Sequence, residues 1–137
     1  MEQPLNLVLF PGTDDRLGAA AILATGAAAM GRPVNVFLQY WALDAFRKGK
    51  VDRDHGLAPE AGAEGREHVD HLRKAGQVGW AEVLRQAKDL GPVDIQACSL
   101  SMDLLGIDES DLDPLVDGVE GVTAFYLNAG DGHMVFI

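Results

Sequence analysis

The sequence has little of several features that mark common protein classes. Its single cysteine, Cys98, excludes a disulfide scaffold and a four-thiolate metal site within one chain. The longest apolar stretch, residues 17–30, is too short and too rich in glycine and alanine to span a bilayer. The amino terminus lacks a basic segment followed by an apolar one, so we expect no signal peptide and a reducing, cytoplasmic location.

Basic residues are also scarce. The chain carries 11 lysines and arginines against 21 acidic residues, which gives a formal net charge of −10. Because phosphate contacts dominate nucleic-acid affinity, this balance excludes nucleic acid as an expected partner, and it disfavours anionic membranes. The 137 residues are 47% hydrophobic, which excludes a disordered chain. We therefore expect one domain over residues 1–137, the usual size for a single core.

Apolar runs and helical patterns alternate along the chain. Residues 5–10 form a short apolar run that Pro11 and Gly12 end, and residues 34–38 form a second one. A helix over about 17–29 is predicted between them. This spacing is typical of a right-handed βαβ unit with parallel strands.

The second half of the chain continues this alternation. We predict an amphipathic helix over residues 80–90 and a strand over 93–97 that ends at Cys98. Two helical segments begin at residues 102 and 108. For residues 121–129 a helix is favoured over a strand, and residues 134–137 form a terminal strand. Asp111 follows Asp108 at capping-box spacing. The fold class is therefore α/β, a three-layer α/β/α sandwich with a mostly parallel sheet of about five strands.

Residues 49–76 differ in composition, with many charges and few large apolar side chains. We interpret them as an exposed insert with a polar helix near residues 64–74. His68 and His71 share a helix face with Glu64 and Glu67, a set that could bind Zn²⁺. We favour a solvated face and expect neither a metal nor a cofactor.

Chemically useful side chains follow each of the first three strands. Asp14 and Asp15 follow the first strand, and Tyr40 and Trp41 follow the second. The carboxyl ends of parallel strands meet at one edge of a sheet, where binding sites form. The two aspartates could orient a ligand or move a proton, although we favour N-capping. The two aromatic residues could wall a pocket at the cysteine, pack under the insert or contact another subunit.

Cys98 lies between a strand end and a helix start. Backbone N–H groups at such a place stabilise an anion, and a thiolate is the nucleophilic form of cysteine. Ser99 and Ser101 could donate hydrogen bonds to the sulfur or cap the helix. The alternative is that Cys98 is a small buried hydrophobe, a common role for cysteine.

Residues 97–107, ACSLSMDLLGI, resemble the cysteine motif of DsrE/DsrF-like proteins, especially the DsrE2-like branch. Residues 26–34, 40–43 and 121–125, with the terminal Phe136-Ile137, are also similar to that family. The sequence departs from the branch at Leu100, where methionine is usual, and its insert is acidic and shorter.

The resemblance implies an α/β fold, assembly as a homotrimer or hexamer, and a sulfur carrier or sulfurtransferase role. Cys98 would hold sulfane sulfur as a persulfide and transfer it to a partner thiol, on a protein or a small molecule. The alternative is a non-catalytic oligomeric module that binds a small molecule or protein, with Cys98 structural or redox-regulatory. An exposed, reactive Cys98 would favour the first hypothesis, and a buried, inert one the second.

Overall fold

A five-stranded sheet organises the fold in the computed structural model, which describes residues 2–137. Its strands are β1 (Leu5–Leu9), β2 (Val34–Leu38), β3 (Val93–Cys98), β4 (Gly118–Glu120) and β5 (Met134–Phe136). They lie in the order β4-β3-β2-β1-β5, and every neighbouring pair is parallel. The predicted α/β sandwich and its parallel sheet are therefore confirmed.

Six α-helices connect the strands: α1 (Asp14–Ala29), α2 (Tyr40–Ala45), α3 (Gly62–Lys74), α4 (Trp80–Leu90), α5 (Ser99–Leu105) and α6 (Val122–Ala129). The helix favoured for residues 121–129 is confirmed as α6. The helix expected from Asp108 is only a 3₁₀ turn over Glu109–Asp111, although the predicted capping box between Asp108 and Asp111 is present. Strand β4 was not predicted.

The strand order determines which face of the sheet each helix covers. From β1 to β4 the chain moves in one direction, so right-handed crossovers place the intervening helices on one face. After β4 the chain returns across the sheet to β5 at the opposite edge, and the same handedness places α6 on the other face. One face therefore carries several helices, and the other carries one helix of eight residues.

The larger core lies under α1 and α4. Alternate residues of the strands point into it, among them Leu7, Val36 and Ile95, all fully buried. Helix α1 contributes mainly alanines, and its close packing is visible at Gly91, where an added Cβ would lie 2.9 Å from the Ala28 carbonyl oxygen. Only this face of α1 is buried, since Ile22 on its outer face is 70% exposed.

Helix α3 is attached to the rest of the molecule differently, because none of its residues is buried. Its arginines reach aspartates outside the helix. Arg66 pairs with Asp54 at 3.2 Å, and Arg73 pairs with Asp54 at 3.1 Å and with Asp14 at 2.7 Å. Such ion pairs stabilise far less than a buried apolar face, so α3 is among the least firmly held elements.

None of the helices within residues 2–137 is both long and apolar enough to cross a membrane.

We predict that acid releases α3 before the sheet unfolds. A hydrogen bond from the Gly56 N–H, followed by the pairs with Arg73 and Arg66, lowers the pKa of Asp54 from 3.8 to about 2, against opposing desolvation. Because the pKa of Asp54 is lower in the folded state, its stabilising contribution is present above pH 3.8 and is lost as the pH falls towards 2. Because the pairs are exposed, solvent screens them and each contributes little to stability.

At neutral pH, Asp54→Asn should reproduce this release. Amide hydrogen exchange over residues 62–74 should become a few-fold faster, and exchange in the strands should not change. Asp70→Asn is the matched control, because Asp70 pairs with Arg66 inside the same helix. Equal effects of the two variants would show that the pairs with Asp54 do not hold α3.

Candidate functional site

Cys98 is the last residue of β3 and the N-cap of α5. Its Sγ accepts a hydrogen bond from the backbone N–H of Ser101 at 3.5 Å. The direct turn from strand to helix brings this N–H to the sulfur, since N-cap side chains accept from the second or third helical residue. The predicted position of Cys98 at a strand end and helix start is confirmed.

The Cys98 side chain faces the side of the sheet that α6 covers. Along β3, Val93, Ile95 and Ala97 belong to the larger core, so Cys98 points to the opposite face. There it forms a small cluster with Phe37 of β2 and Phe125 of α6. The two rings stack with centroids 4.7 Å apart and an interplanar angle of 14°.

This cluster buries the cysteine, which is 5% exposed in the single chain. Phe125, itself 1% exposed, is the α6 residue in the cluster. Burial and proximity to aromatic rings are compatible with the structural alternative and do not match the exposed thiol that the carrier hypothesis favours. Any reagent must therefore reach Cys98 by displacing part of this covering layer.

Helix α6, which covers the cluster, is lightly held. Of its eight residues, Phe125 and Ala129 are buried. Glycines flank both ends, and Gly130 has a positive φ of 55°. At the other end, an added Cβ on Gly121 would lie 3.8 Å from the Ser99 hydroxyl oxygen. Ser99 thus lies beside the start of the covering helix.

Glu120 is a neighbour of Cys98 that the sequence did not reveal. It pairs in register with Cys98 across β3 and β4, so both side chains project to the α6 face. The pKa of Glu120 is raised by partial burial and by the charge of Asp94, against the hydrogen bond from the Asn128 amide. No periodic pattern marks a strand of three half-buried residues, which is why its position escaped prediction.

Tyr40 and Trp41 lie at the end of β2, next to β3. Tyr40 is the only non-glycine with a positive φ, 43°, among residues 2–137. Such a conformation costs about 1–3 kcal/mol and persists where the surroundings hold it. Here the Tyr40 ring packs at 5.1 Å from Phe10 and at 6.1 Å from Trp41. Gly12 touches the Trp41 carbonyl so closely that a Cβ could not be added there.

Asp14 and Asp15 do not cap α1, so the interpretation that we favoured from the sequence is wrong. Both lie inside its first turn, after Thr13. The Asp14 carboxylate accepts from Trp80 Nε1 at 2.9 Å and from the His55 N–H at 3.0 Å, as well as from Arg73. These donors lie 41 to 66 residues from Asp14 in the sequence, so a local pattern could not predict them.

These contacts direct both aspartates towards residues 55–80. Asp15 accepts from the Ala58 N–H at 3.1 Å. Of the residues expected at the site, Ser101 contacts Cys98, through its backbone N–H. Asp14 and Asp15 instead bind residues of the segment 55–80. The histidines considered for metal binding, His68 and His71, are exposed on α3.

Comparisons with known proteins agree with this architecture. The structure of a protein of unknown function, MTH1491 from Methanobacterium thermoautotrophicum, is similar with a TM-score of 0.50 over 97% of this chain and 99% of that one. At 16% sequence identity, this likeness shows the fold alone.

Sequence comparison identifies the family. The uncharacterized protein YrkE from Bacillus subtilis (strain 168) is 30% identical over 148 residues, which cover 93% of this chain and 91% of that protein. The sequence model of the DsrE/DsrF/DrsH-like family matches residues 1–63, a segment that contains Tyr40 and Trp41 but not Cys98. The chain belongs to the DsrE/DsrF/DrsH-like family.

Proposed function

We propose that the protein carries sulfane sulfur as a persulfide on Cys98 and transfers it to a partner thiol. Membership of the DsrE/DsrF/DrsH-like family suggests a sulfur-related role, and Cys98 is the only thiol in the chain. The observation that carries the proposal is the hydrogen bond from the Ser101 N–H to Sγ at the carboxyl edge of the sheet. A donor aimed at the sulfur stabilises the negative charge of a thiolate.

The proposed chemistry consists of two thiol exchanges. The Cys98 thiolate attacks the outer sulfur of a donor R–S–SH, the donor S–S bond breaks, and R–S⁻ leaves, which yields Cys98–S–SH. An acceptor thiolate R′–S⁻ then attacks the same outer sulfur, the Cys98 S–S bond breaks, and R′–S–SH forms while the Cys98 thiolate is restored. The cycle needs no external oxidant or reductant.

Because the chain has a single cysteine, the proposed relay must run between molecules. An intramolecular disulfide cannot form, so a dithiol cycle within one chain is excluded. Donor and acceptor thiols must come from other molecules, and a reducing cytoplasm would keep Cys98 and its partners as thiols.

Helix α6 would control access to the sulfur. Cys98 is buried under Phe125, so loading requires α6 to move away from the sheet. The helix is short, has two buried residues and is flanked by Gly121 and Gly130, and these features favour local opening. Ser101 would hold the sulfur in place, while Tyr40 and Trp41 would wall the neighbouring strand end.

The burial of Cys98 also supports a second candidate. At 5% exposure, within a stack of two phenylalanines, the cysteine could be a structural residue or redox-regulatory in a non-catalytic binding module. In that case the folded protein would hold no sulfane sulfur.

We further propose that copies of the chain associate through α6. Val122, Tyr126 and Leu127 expose apolar surface on this helix, and Leu127 is 78% exposed. Adjacent exposed apolar side chains of this kind mark interaction surfaces. A homotrimer or hexamer, as the family resemblance implies, would place these residues between subunits.

The carrier function predicts a reversible mass gain. After incubation with a low-molecular-weight persulfide, the intact wild-type protein should gain the mass of one sulfur, because Cys98 retains the transferred atom. A mild thiol reductant should remove it. Cys98→Ser is the control and should gain nothing. A wild-type protein that gains no sulfur while folded would leave the structural role as the better account.

The covering role of α6 predicts that Phe125→Ala accelerates the reaction of Cys98 with a small thiol reagent. Removing a buried phenylalanine costs about 3–5 kcal/mol, so α6 should open more often and the rate should rise about tenfold or more. Phe125→Leu should give a smaller rise. Thr123→Ala, at an exposed position of the same helix outside the proposed interface, should leave the rate unchanged. If the folded Phe125→Ala protein reacts at the wild-type rate, α6 does not limit access.

Association through α6 predicts that Leu127→Asp lowers the oligomeric state, since a buried unpaired carboxylate destabilises an apolar interface. Light scattering coupled to size-exclusion chromatography should show the shift. Leu90→Asp, at a residue of α4 that is 55% exposed, is the control. An unchanged molar mass for Leu127→Asp would place the interface elsewhere.

A further inference from the structure

A second site lies on the face of the sheet opposite Cys98. A cavity of about 560 Å³ opens between α1, α3 and α4, beside the segment that precedes α3. This volume is typical of cavities that hold small organic molecules, about 300–1,000 Å³. Its lining residues and those around Cys98 do not overlap.

The walls of this cavity are largely apolar. The buried Trp80 and Val51 line it, together with Leu72 of α3. Ile22 and Val78 also line it, and their exposed fractions are 70% and 50%. Apolar side chains left open to solvent around one cavity favour an occupant with an apolar body.

Glycine at position 18 creates part of this space. Gly18 lines the cavity, and a Cβ built on it meets no atom within 4 Å. Gly18 lies inside α1, where glycine costs about 1 kcal/mol relative to alanine. Helical geometry does not require a glycine here, so a larger side chain at position 18 can be used to fill the cavity.

The carboxylates around the cavity are already engaged by the protein. Asp14 and Asp54 pair with Arg73, and Asp52 pairs with Arg85 at 3.0 Å. Asp15, the fourth lining carboxylate, accepts from the Ala58 N–H. Three of the four carboxylates are therefore paired with arginines, and Asp15 is held by a backbone N–H.

Arg53 differs from the other charged residues that line the cavity. It is exposed, and its guanidinium makes no ion pair or hydrogen bond with any side chain or carbonyl in the part of the chain that the structure describes. A guanidinium presents several donors in a planar fork that matches a carboxylate. Among the cavity-lining residues within 2–137, Arg53 is the one charged side chain with no partner.

We infer that the cavity between α1, α3 and α4 binds a small amphiphilic carboxylate, with its apolar body against Ile22, Val78 and Trp80 and its carboxylate at Arg53. Helix α3, held by the ion pairs of Arg66 and Arg73, forms one wall and orders further when the cavity is filled. The site is independent of Cys98, so neither proposal requires the other.

Fluorescence of Trp80 can test this inference directly. The chain has two tryptophans, so Trp41→Phe leaves Trp80 as the only reporter, and it lies in the cavity. In this background, sodium decanoate below its micellar concentration should produce a saturable change in emission. Decyltrimethylammonium and decanol provide a cationic and a neutral head on the same chain, and both should bind more weakly.

Two matched variants locate the binding. Gly18→Phe should fill the cavity and weaken decanoate binding about tenfold or more. Gly26→Phe places the same side chain on the same helix at a position that also meets no atom within 4 Å and does not line the cavity, and it should have no effect. Arg53→Gln should weaken decanoate by a few-fold and leave decanol unchanged. Cys98→Ser should leave decanoate binding unaltered.

Several outcomes would overturn the inference. They are the absence of a saturable response to decanoate, equal or tighter binding of the cationic amphiphile, and equal effects of Gly18→Phe and Gly26→Phe. Circular dichroism of each variant establishes that it is folded. Because Arg53 is exposed, Arg53→Gln tests the carboxylate contact even if Gly18→Phe perturbs α1.

Discussion

The handedness of the last crossover determines the environment of Cys98. The chain builds β1 to β4 in one direction and returns to β5 at the far edge, so the connecting helix must lie on the face that the earlier helices leave open. This helix is α6, which has eight residues. Cys98 points to the same face, so Phe125 covers the sulfur. A single topological constraint thus buries the only thiol beneath a layer that consists of one short helix.

The two faces of the sheet consequently differ in the amount of apolar contact that they bury. On one face, α1 and α4 pack alanines against a continuous apolar core, which fixes the strands. On the other, the apolar cluster consists of Phe37, Cys98 and Phe125, with Val8 against it. We expect the first face to support the fold and the second to open locally, since local opening follows the amount of buried apolar contact. A thiol that must be both protected and reached fits the second face.

Much of the fold follows from local sequence patterns. Strands β1, β2 and β3 are recognised as short apolar runs, and α4 is recognised by its amphipathic repeat. Strand β4 is not, because three half-buried residues show no period and become a strand only through pairing with β3. Glu120 was missed for the same reason.

The sequence predicts where Cys98 lies in the fold, but it does not predict which side chains surround it. The motif around Cys98 indicates a strand end followed by a helix, as observed. Its burial depends on Phe125, which is 27 positions away in sequence and reaches the sulfur only through the return crossing. Likewise, the local sequence predicts Asp14 as a capping residue, whereas its carboxylate binds Trp80 and Arg73 in the structure. Long-range partners decide both cases, and a local pattern carries no information about them.

We propose that Cys98 is a protected thiol that becomes reactive when α6 opens locally. The most direct measurement is the rate at which a small thiol reagent modifies Cys98 across urea concentrations below the unfolding transition. Local opening exposes little surface, so the account predicts a rate that is measurable without urea and nearly constant up to the transition. A rate that rises steeply with urea and follows global unfolding would contradict it and would make Cys98 a structural residue.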